Sequence, residues 1–474
     1  MTQHNLTREE IDKLLAREEG QAFEAKRVEK KPSDMLSAIC AFANSDGGVI
    51  VYGLADTRYA NGKKRLLGIQ AKRENVDELR SLITKEFVPP IPDIRDAIVT
   101  AGKVELFIIR VERSVSVHSL RKGPTYVRRG ARNVQVTHEE SLRLQYEKGA
   151  VHWEQERAEG VTLDDLNETR LQEWADNVES TGDIQQLLVG NKLARWEGSN
   201  LCLLKAAIVV FGKNPALSLS NKSSIRIVHY VGFKPQRSGR PNFAHEPFTV
   251  EGPAIDQIKQ AFEYLADIRL VRLQGALFRR KRIPAFALQE AVTNAVIHRD
   301  YSVAKHTLIS IFDDRIEVES PGWFPGNVTP QNILVERFAR NPIIERTLSK
   351  FPDSPNLEIG EGVDRMFAEM DKQKLYAPHY ALRDRYPHSV HLTLLNIERR
   401  TEWEAVKNLL GQKESISNRD VRAVTDLDTL GVSELLKDWS ARGLLERVPG
   451  GGKRNASYRL PGSSGQASLL DNLF

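Results

Sequence analysis

The run ALQEAVTNAVIHRDY, residues 287–301, constrains this chain more than any other stretch. It predicts a helix from Ala285 to His298 that is mostly apolar yet carries Glu290, Asn294 and His298 at four-residue intervals. Residues four apart share one face of a helix. Polar groups there are costly to bury unless the face lines a polar cavity. The pattern therefore reads as a capped, partly buried helix or as the wall of such a cavity. The chemistry a cavity of this kind offers is definite. The Asn oxygen can bind a divalent cation that bridges phosphates, and the Glu can orient or deprotonate an attacking water.

Around this helix the chain has ample material for several cores. Its 474 residues and 41% hydrophobic content give a prior of about three domains. Cys40 and Cys202 are its two cysteines, which leaves no disulfide framework and no cysteine-built zinc site and fits a cytoplasmic protein. The first twenty residues form a charged amphipathic helix pattern without an apolar segment, and no stretch approaches the roughly 18 apolar residues of a membrane span. Sixty-eight basic against 63 acidic residues leave a net charge of +5, which excludes a polycation and permits local basic patches.

The hydrophobic pattern divides the chain into an α+β multidomain protein. Residues 1–137 mix helices with short β runs, and 138–160 form a charged, helix-like connector. Residues 161–275 are a middle α/β region without recognisable chemistry, and 276–397 are a further α/β unit. Residues 401–460 read as three helices and a β wing, and 461–474 as a flexible tail.

Glu19, Glu24 and Lys26 lie in EGQAFEAK, and Asp56 follows the strand GGVIVYGLAD. These carboxylates are either solvated surface groups or ligands for one or two divalent ions, Mg²⁺ or Mn²⁺, that activate water against a phosphodiester. In the second case Lys26 holds the scissile phosphate. From Arg110 to Arg132 stand seven basic residues, Arg110, Arg113, Arg121, Lys122, Arg128, Arg129 and Arg132, against the single Glu112. With Tyr126 as a stacking group, the segment is either a solvated face or a nucleic-acid contact.

GluAlaLys at 24–26, AICAFANSDGG at 38–48, VYGLAD at 51–56 and YVRRG at 126–130 together resemble the AlbA-like domain of the Schlafen proteins, over roughly residues 10–137. The resemblance implies nucleic-acid binding. In nucleolytic members it implies a metal-dependent active site, matched here by Glu19, Glu24 and Asp56. Ala25 stands where that family usually has Phe, and one Asp stands where it usually has two. Cleavage and binding without cleavage both remain open.

The helix with Glu290, Asn294 and His298 is followed by SerProGly at 320–322, ArgAsnPro at 340–342 and EIGEGVDRM at 358–366. In this order the set resembles the GHKL ATPase fold, a Bergerat-type α/β sandwich, in the divergent version that often follows a Schlafen AlbA-like domain. The resemblance implies ATP with Mg²⁺ on Asn294, Glu290 as the catalytic carboxylate, and His298, Ser320, Gly322, Gly360 and Gly362 around the nucleotide. Ser320 replaces an Asp that usually accepts a hydrogen bond from adenine. GHKL analogy also implies a homodimer.

The last module reads as a winged helix-turn-helix, with Lys453 and Arg454 of the wing on the DNA backbone. Its presumed recognition helix carries Glu434 and Asp438 against Lys437, and winged helices also dock proteins. The whole architecture resembles bacterial predicted transcriptional regulators. The expected function is an ATP-binding protein that binds DNA or RNA and is gated by nucleotide. The alternative is a metal-dependent endonuclease acting on RNA, tRNA among the targets, or on DNA, in phage defence, and a pure interaction scaffold is a third reading.

Overall fold

The computed structural model describes residues 4–149, 151–178, 183–236, 238–274, 277–326, 328–355, 361–383, 388–413, 415–448 and 456–461. The chain divides into two compact units, with the boundary in sequence after residue 150.

In the first unit a capping box starts the leading helix, Arg8–Ala16: Thr7 Oγ1 accepts from Glu10 N, and Glu10 Oε2 accepts from Thr7 N at 2.7 Å. A five-stranded mixed sheet follows, in the order His4–Asn5, Ile94–Ala101, Val104–Val111, Gly48–Tyr52, Phe23–Lys26. Its two central strands are apolar at nearly every position because both faces are covered. Ile50, Tyr52, Phe107 and Ile109 pack with the buried helix Leu36–Asn44. Val49, Val51, Leu106 and Ile108 pack with Leu14 and Leu15 of the leading helix.

The segment expected to be one connector, 138–160, is divided. Its helix, His138–Lys148, ends on Gly149 in the left-handed region and is anchored in the first unit. The buried Lys148 Nζ donates to the carbonyls of Ala43 at 2.9 Å, Ser114 at 2.5 Å and Ser116 at 3.3 Å. A buried ammonium needs such partners to offset its lost hydration. The chain beyond belongs to the second unit.

There a six-stranded sheet runs in the order Phe248–Val250, Ile225–His229, Thr307–Ile311, Arg315–Pro321, Ser389–Leu395, His379–Arg383. All neighbours are antiparallel except Ile225–His229 with Thr307–Ile311, which pair in parallel with Ile227 opposite Ile309. The boundary expected at 275/276 therefore cuts through one sheet, to which the middle region gives two strands. Helix Ala285–Ile297 lies on strand Arg315–Pro321, between helices Ala254–Asp267 and Gly362–Lys372.

The final module has helices Glu402–Gln412, Asn418–Arg422 and Thr429–Ala441 with a three-stranded sheet of Ile416–Ser417, Ser457–Arg459 and Glu446–Arg447. It shares a core with the end of the large sheet. Trp403, Val406 and Trp439 pack with Tyr376, Leu395 and Ile397, and Trp439 Nε1 donates to Tyr376 OH at 2.9 Å. Among the described residues no helix is long and apolar enough to cross a membrane.

Candidate functional site

Helix Ala285–Ile297 buries Ala287, Leu288, Ala291, Val292, Ala295 and Val296. That leaves Glu290, Asn294 and His298 half-buried along the opposite line, at the wall of a cavity of about 460 Å³. Strand residues Val318, Ser320 and Leu392 floor the cavity, and Phe286, Trp323, Phe324 and Tyr380 add aromatic surface. Asn294 Nδ2 donates to Glu290 Oε1 at 2.8 Å, which orients the amide so that Oδ1 is the oxygen left to a ligand. Burial pushes the Glu290 carboxyl above its usual range, against the hydrogen bond from Asn294. That is the condition of a carboxylate poised to take a proton.

The Glu290 carboxylate lies against the start of helix Gly362–Lys372. A Cβ on Gly362 would stand 2.0 Å from Glu290 Oε1, so a larger residue there would push the carboxylate aside. The positive end of that helix faces the cavity. Gly360 lies outside the described residues.

His298 ends the polar line. Burial, with Arg340 nearby, lowers its imidazole to about 4, so it is neutral near pH 7. Ser320 also lines the cavity, but its hydroxyl donates to Ala295 O at 2.8 Å and ties strand to helix. Gly322 is placed differently from these: it does not line the cavity and instead permits a close approach. At φ +110° its missing Cβ would fall 2.6 Å from Asp300 Cβ and 2.9 Å from Arg340 Nη1. The Arg340–Asp300 ion pair (3.1 Å) passes through that gap. Asn341 Nδ2 completes the junction by donating to Ile297 O at 2.7 Å and Arg299 O at 2.8 Å, which satisfies carbonyls left open at the helix end.

Several contributors escaped the sequence reading. Arg337 lines the cavity and pairs with Asp364 at 2.7 Å, and Arg365 stacks over Phe286 at 4.2 Å. Glu154, fully buried, accepts from Ile343 N at 2.8 Å and Ile344 N at 2.9 Å and so caps the helix that follows Asn341. Burial pushes its carboxyl up to about 7 despite these bonds. No local pattern announces such residues, because their partners are remote in sequence.

In the first unit Glu19, Glu24 and Asp56 are joined through cations. Lys26 pairs with Glu24 and stands 3.8 Å from Glu19. Arg58 pairs with Asp56 and reaches Glu19 Oε2 at 2.8 Å. Arg128 Nη2 meets Glu24 Oε2 at 2.6 Å. Burial and the neighbouring Glu24 raise the Glu19 carboxyl. Burial acts the same way on Asp56, but the donors of Arg58 outweigh it and hold that carboxyl low. Each of the three carboxylates expected as metal ligands, Glu19, Glu24 and Asp56, is thus engaged by a cation of the protein, and among the described residues no group of three or more His, Cys, Asp or Glu side chains is disposed to hold a metal ion. Three carboxylates here answer three cations.

The basic segment also divides. Arg128 is buried, donates to Gly20 O at 2.8 Å and to Asn133 Oδ1 at 2.6 Å, and lies over the Phe42 ring. It is a core residue and not a nucleic-acid contact. Tyr126 packs against the core. Arg110 pairs with Glu112 at 2.5 Å, and Arg113 is half-buried. Arg121, Lys122, Arg129 and Arg132 are exposed, with Arg129 3.2 Å from Glu140. Lys453 and Arg454 lie outside the described residues.

Comparison with known proteins matches these two regions to family models. Residues 19–137 match the family described as Schlafen, AlbA_2. Residues 305–393 match the family described as recG C-terminal, named for an ATP-dependent DNA helicase. The chain carries both domains. The recG C-terminal match covers the strands that floor the cavity and the Gly322 and Asn341 junction, while the helix with Glu290 precedes it. The AlbA_2 match spans the carboxylate network and the basic segment. Among solved structures, the DIP2311 protein from Corynebacterium diphtheriae is similar at 19% identity and TM-score 0.39, over 94% of this chain and 92% of that one. The N-terminal domain of a RecG-related protein from Nitrosomonas europaea is similar at 20% identity and TM-score 0.22, over 27% of this chain and 92% of that one. Both likenesses are too distant to carry a functional statement. No curated protein matches the chain.

Proposed function

We propose that this chain is an ATP-binding, nucleic-acid-binding regulatory protein in which nucleotide in the recG C-terminal domain's cavity alters binding of DNA or RNA. One observation carries the reading: Glu290, Asn294 and the glycine-started helix at Gly362 meet at one wall of a cavity whose remaining surface is largely aromatic and aliphatic. The donor set fits a nucleoside triphosphate with Mg²⁺. Asn294 Oδ1 suits a hard cation, the helix start and Arg337 suit phosphate oxygens, and the apolar floor suits a base. Bound Mg²⁺ would offset phosphate charge. Glu290, raised by burial, would accept a proton from water, and Asn294 would keep its carboxylate oriented. The AlbA_2 match and the exposed Arg121, Lys122 and Arg132 support the nucleic-acid half of the reading, as does a winged-helix reading of the final module.

The test measures binding of ATP with Mg²⁺ by calorimetry and of labelled DNA and RNA with and without ATP. Asn294→Ala should weaken nucleotide binding at least tenfold and abolish any ATP dependence of nucleic-acid binding. An unchanged nucleotide response in that variant overturns the proposal.

The endonuclease reading stands second, supported by the gathering of Glu19, Glu24 and Asp56 in one network. It requires an incoming metal ion to displace Lys26 and Arg58 from the carboxylates. It predicts EDTA-sensitive cleavage that Glu24→Gln removes while binding persists. Cleavage that persists in Glu24→Gln discards the site.

A further inference from the structure

The segment 230–245 of the middle region exposes apolar side chains that no core uses. Val231 is 58% and Phe233 53% accessible, and Phe243 is also exposed at the base of the loop. A free loop would hide or average such groups, but this one is held. Asn242 Nδ2 donates to Val231 O at 2.5 Å and Lys234 O at 3.0 Å, while Asn242 Oδ1 accepts from Gln236 N at 2.7 Å. Backbone bonds Val231 N to Asn242 O (2.8 Å) and Ala244 N to His229 O (2.7 Å) close its neck. Beneath it Tyr230 stacks on Phe312 at 5.1 Å and an 8° tilt, and Phe243 packs against Tyr230 at 5.5 Å. The loop thus stands on an aromatic pile at the end of strand Ile225–His229 and presents Phe233 in an ordered backbone.

Its charge selects the partner. Lys234, Arg237 and Arg240 lie between Val231 and His245 with no Asp or Glu among them, and Lys234 and Arg240 are exposed. An exposed aromatic ring interleaved with cations is the chemistry that stacks on unpaired bases while neutralising the adjoining phosphates. A duplex offers no unstacked base face to Phe233, so the ligand is single-stranded. An apolar protein surface would leave the three cations without counter-charge.

We propose that residues 231–236 and 238–243 bind single-stranded nucleic acid, with Phe233 as the stacking residue and Lys234 and Arg240 as phosphate contacts. The inference rests on the nucleic-acid half of the proposed function and assigns it a place outside both matched domains. Because hydrogen bonds already hold the backbone at Val231, Lys234, Gln236 and Asn242, little conformational entropy is lost there on binding.

The test is fluorescence anisotropy of a labelled oligothymidylate 20-mer with the full chain, repeated across a salt series. Phe233→Ala should weaken binding roughly tenfold with an unchanged salt slope, and Phe233→Tyr should restore it. Lys234→Ala with Arg240→Ala should lower the slope of log K against log salt by about 1.4, at about 0.7 per lost single-strand phosphate contact. Full affinity in Phe233→Ala with binding otherwise intact overturns the loop while leaving the broader reading standing. Absence of binding to any DNA or RNA by the unmutated chain overturns both. A change in sedimentation of Phe233→Ala with no change in oligonucleotide affinity assigns the loop to protein association and also overturns it. Thermal melting of each variant verifies that its fold is kept.

Discussion

The carboxylates of this chain are met in two different ways, by cations in the first unit and by neutral donors in the second. In the AlbA_2 domain Glu19, Glu24 and Asp56 meet Lys26, Arg58 and Arg128, so that each charge is answered within the domain. In the second unit Glu290, at the cavity wall, meets an amide and a glycine-started helix, and Glu154, at the start of another helix, meets two backbone N–H groups. Burial raises both of the latter carboxyls. A balanced cluster is already satisfied and holds structure together. A buried carboxylate that borrows only neutral donors is in tension, and a cation or a proton relieves it. Motif spacing is blind to this difference, which depends on what the rest of the fold brings to the carboxylates.

The largest effect expected from this contrast is at Arg128. Its side chain is buried and paired with Glu24, so Arg128→Ala strands a buried carboxylate and should cost about 3–5 kcal/mol in urea unfolding of the first unit. A loss below about 1 kcal/mol would show that the network is solvated and would dissolve the comparison.

Glu154 tests the other side through pH. Its folded pKa, about 7, exceeds the ordinary 4.5. The folded state therefore binds the proton more tightly, and this contribution is fully present below about pH 4.5. It is lost as pH rises through 7, a decline on the order of 2–3 kcal/mol. Glu154→Gln should flatten that part of the stability profile, read from melting temperature between pH 4.5 and 8. A profile with the same slope in the variant would show that the carboxyl is not the group titrating.

Glu→Gln at one carboxylate of each kind sets the two against each other directly. Glu24→Gln removes the partner of Arg128 and Lys26 and should destabilise by about 2–3 kcal/mol. Glu290→Gln removes a charge that burial disfavours, and should stabilise by up to about 1 kcal/mol at pH 8, with a gain that shrinks toward pH 4.5. Equal signs for the two variants would erase the distinction.

The same contrast explains what was legible in the sequence. Four-residue spacing placed Glu290, Asn294 and His298 on one helix face because helix geometry is local, and the structure puts that face on a cavity. The apolar runs at 49–52 and 106–109 marked β-strands, again from local pattern, and the structure adds that both of their faces are covered. Arg128 could not be read in this way. In YVRRG it is indistinguishable from its exposed neighbour Arg129, and only the fold carries Gly20, Phe42 and Glu24 to it. The parallel pairing of Ile225–His229 with Thr307–Ile311 joins strands nearly eighty residues apart, so composition alone drew a domain boundary through that sheet.

Arg128 and Arg129 also supply the smallest effect and the cleanest control. Adjacent residues on strand Tyr126–Arg129 point to opposite sides. Arg129 is 58% exposed and pairs at 3.2 Å with a Glu140 that is itself 40% exposed. Water and salt screen such a pair, and holding two long side chains together has an entropic cost, so Arg129→Ala should change stability by no more than about 0.5 kcal/mol. If the exposed cations of this segment contact phosphate, the same variant should lower the salt slope of nucleic-acid binding by roughly 0.7 to 0.9. Arg128→Ala would instead weaken binding only in proportion to the unfolded fraction. A variant at Arg129 that unfolds the domain, or one at Arg128 that shifts the salt slope while the domain stays folded, would reverse the assignment of core and surface along these two consecutive residues.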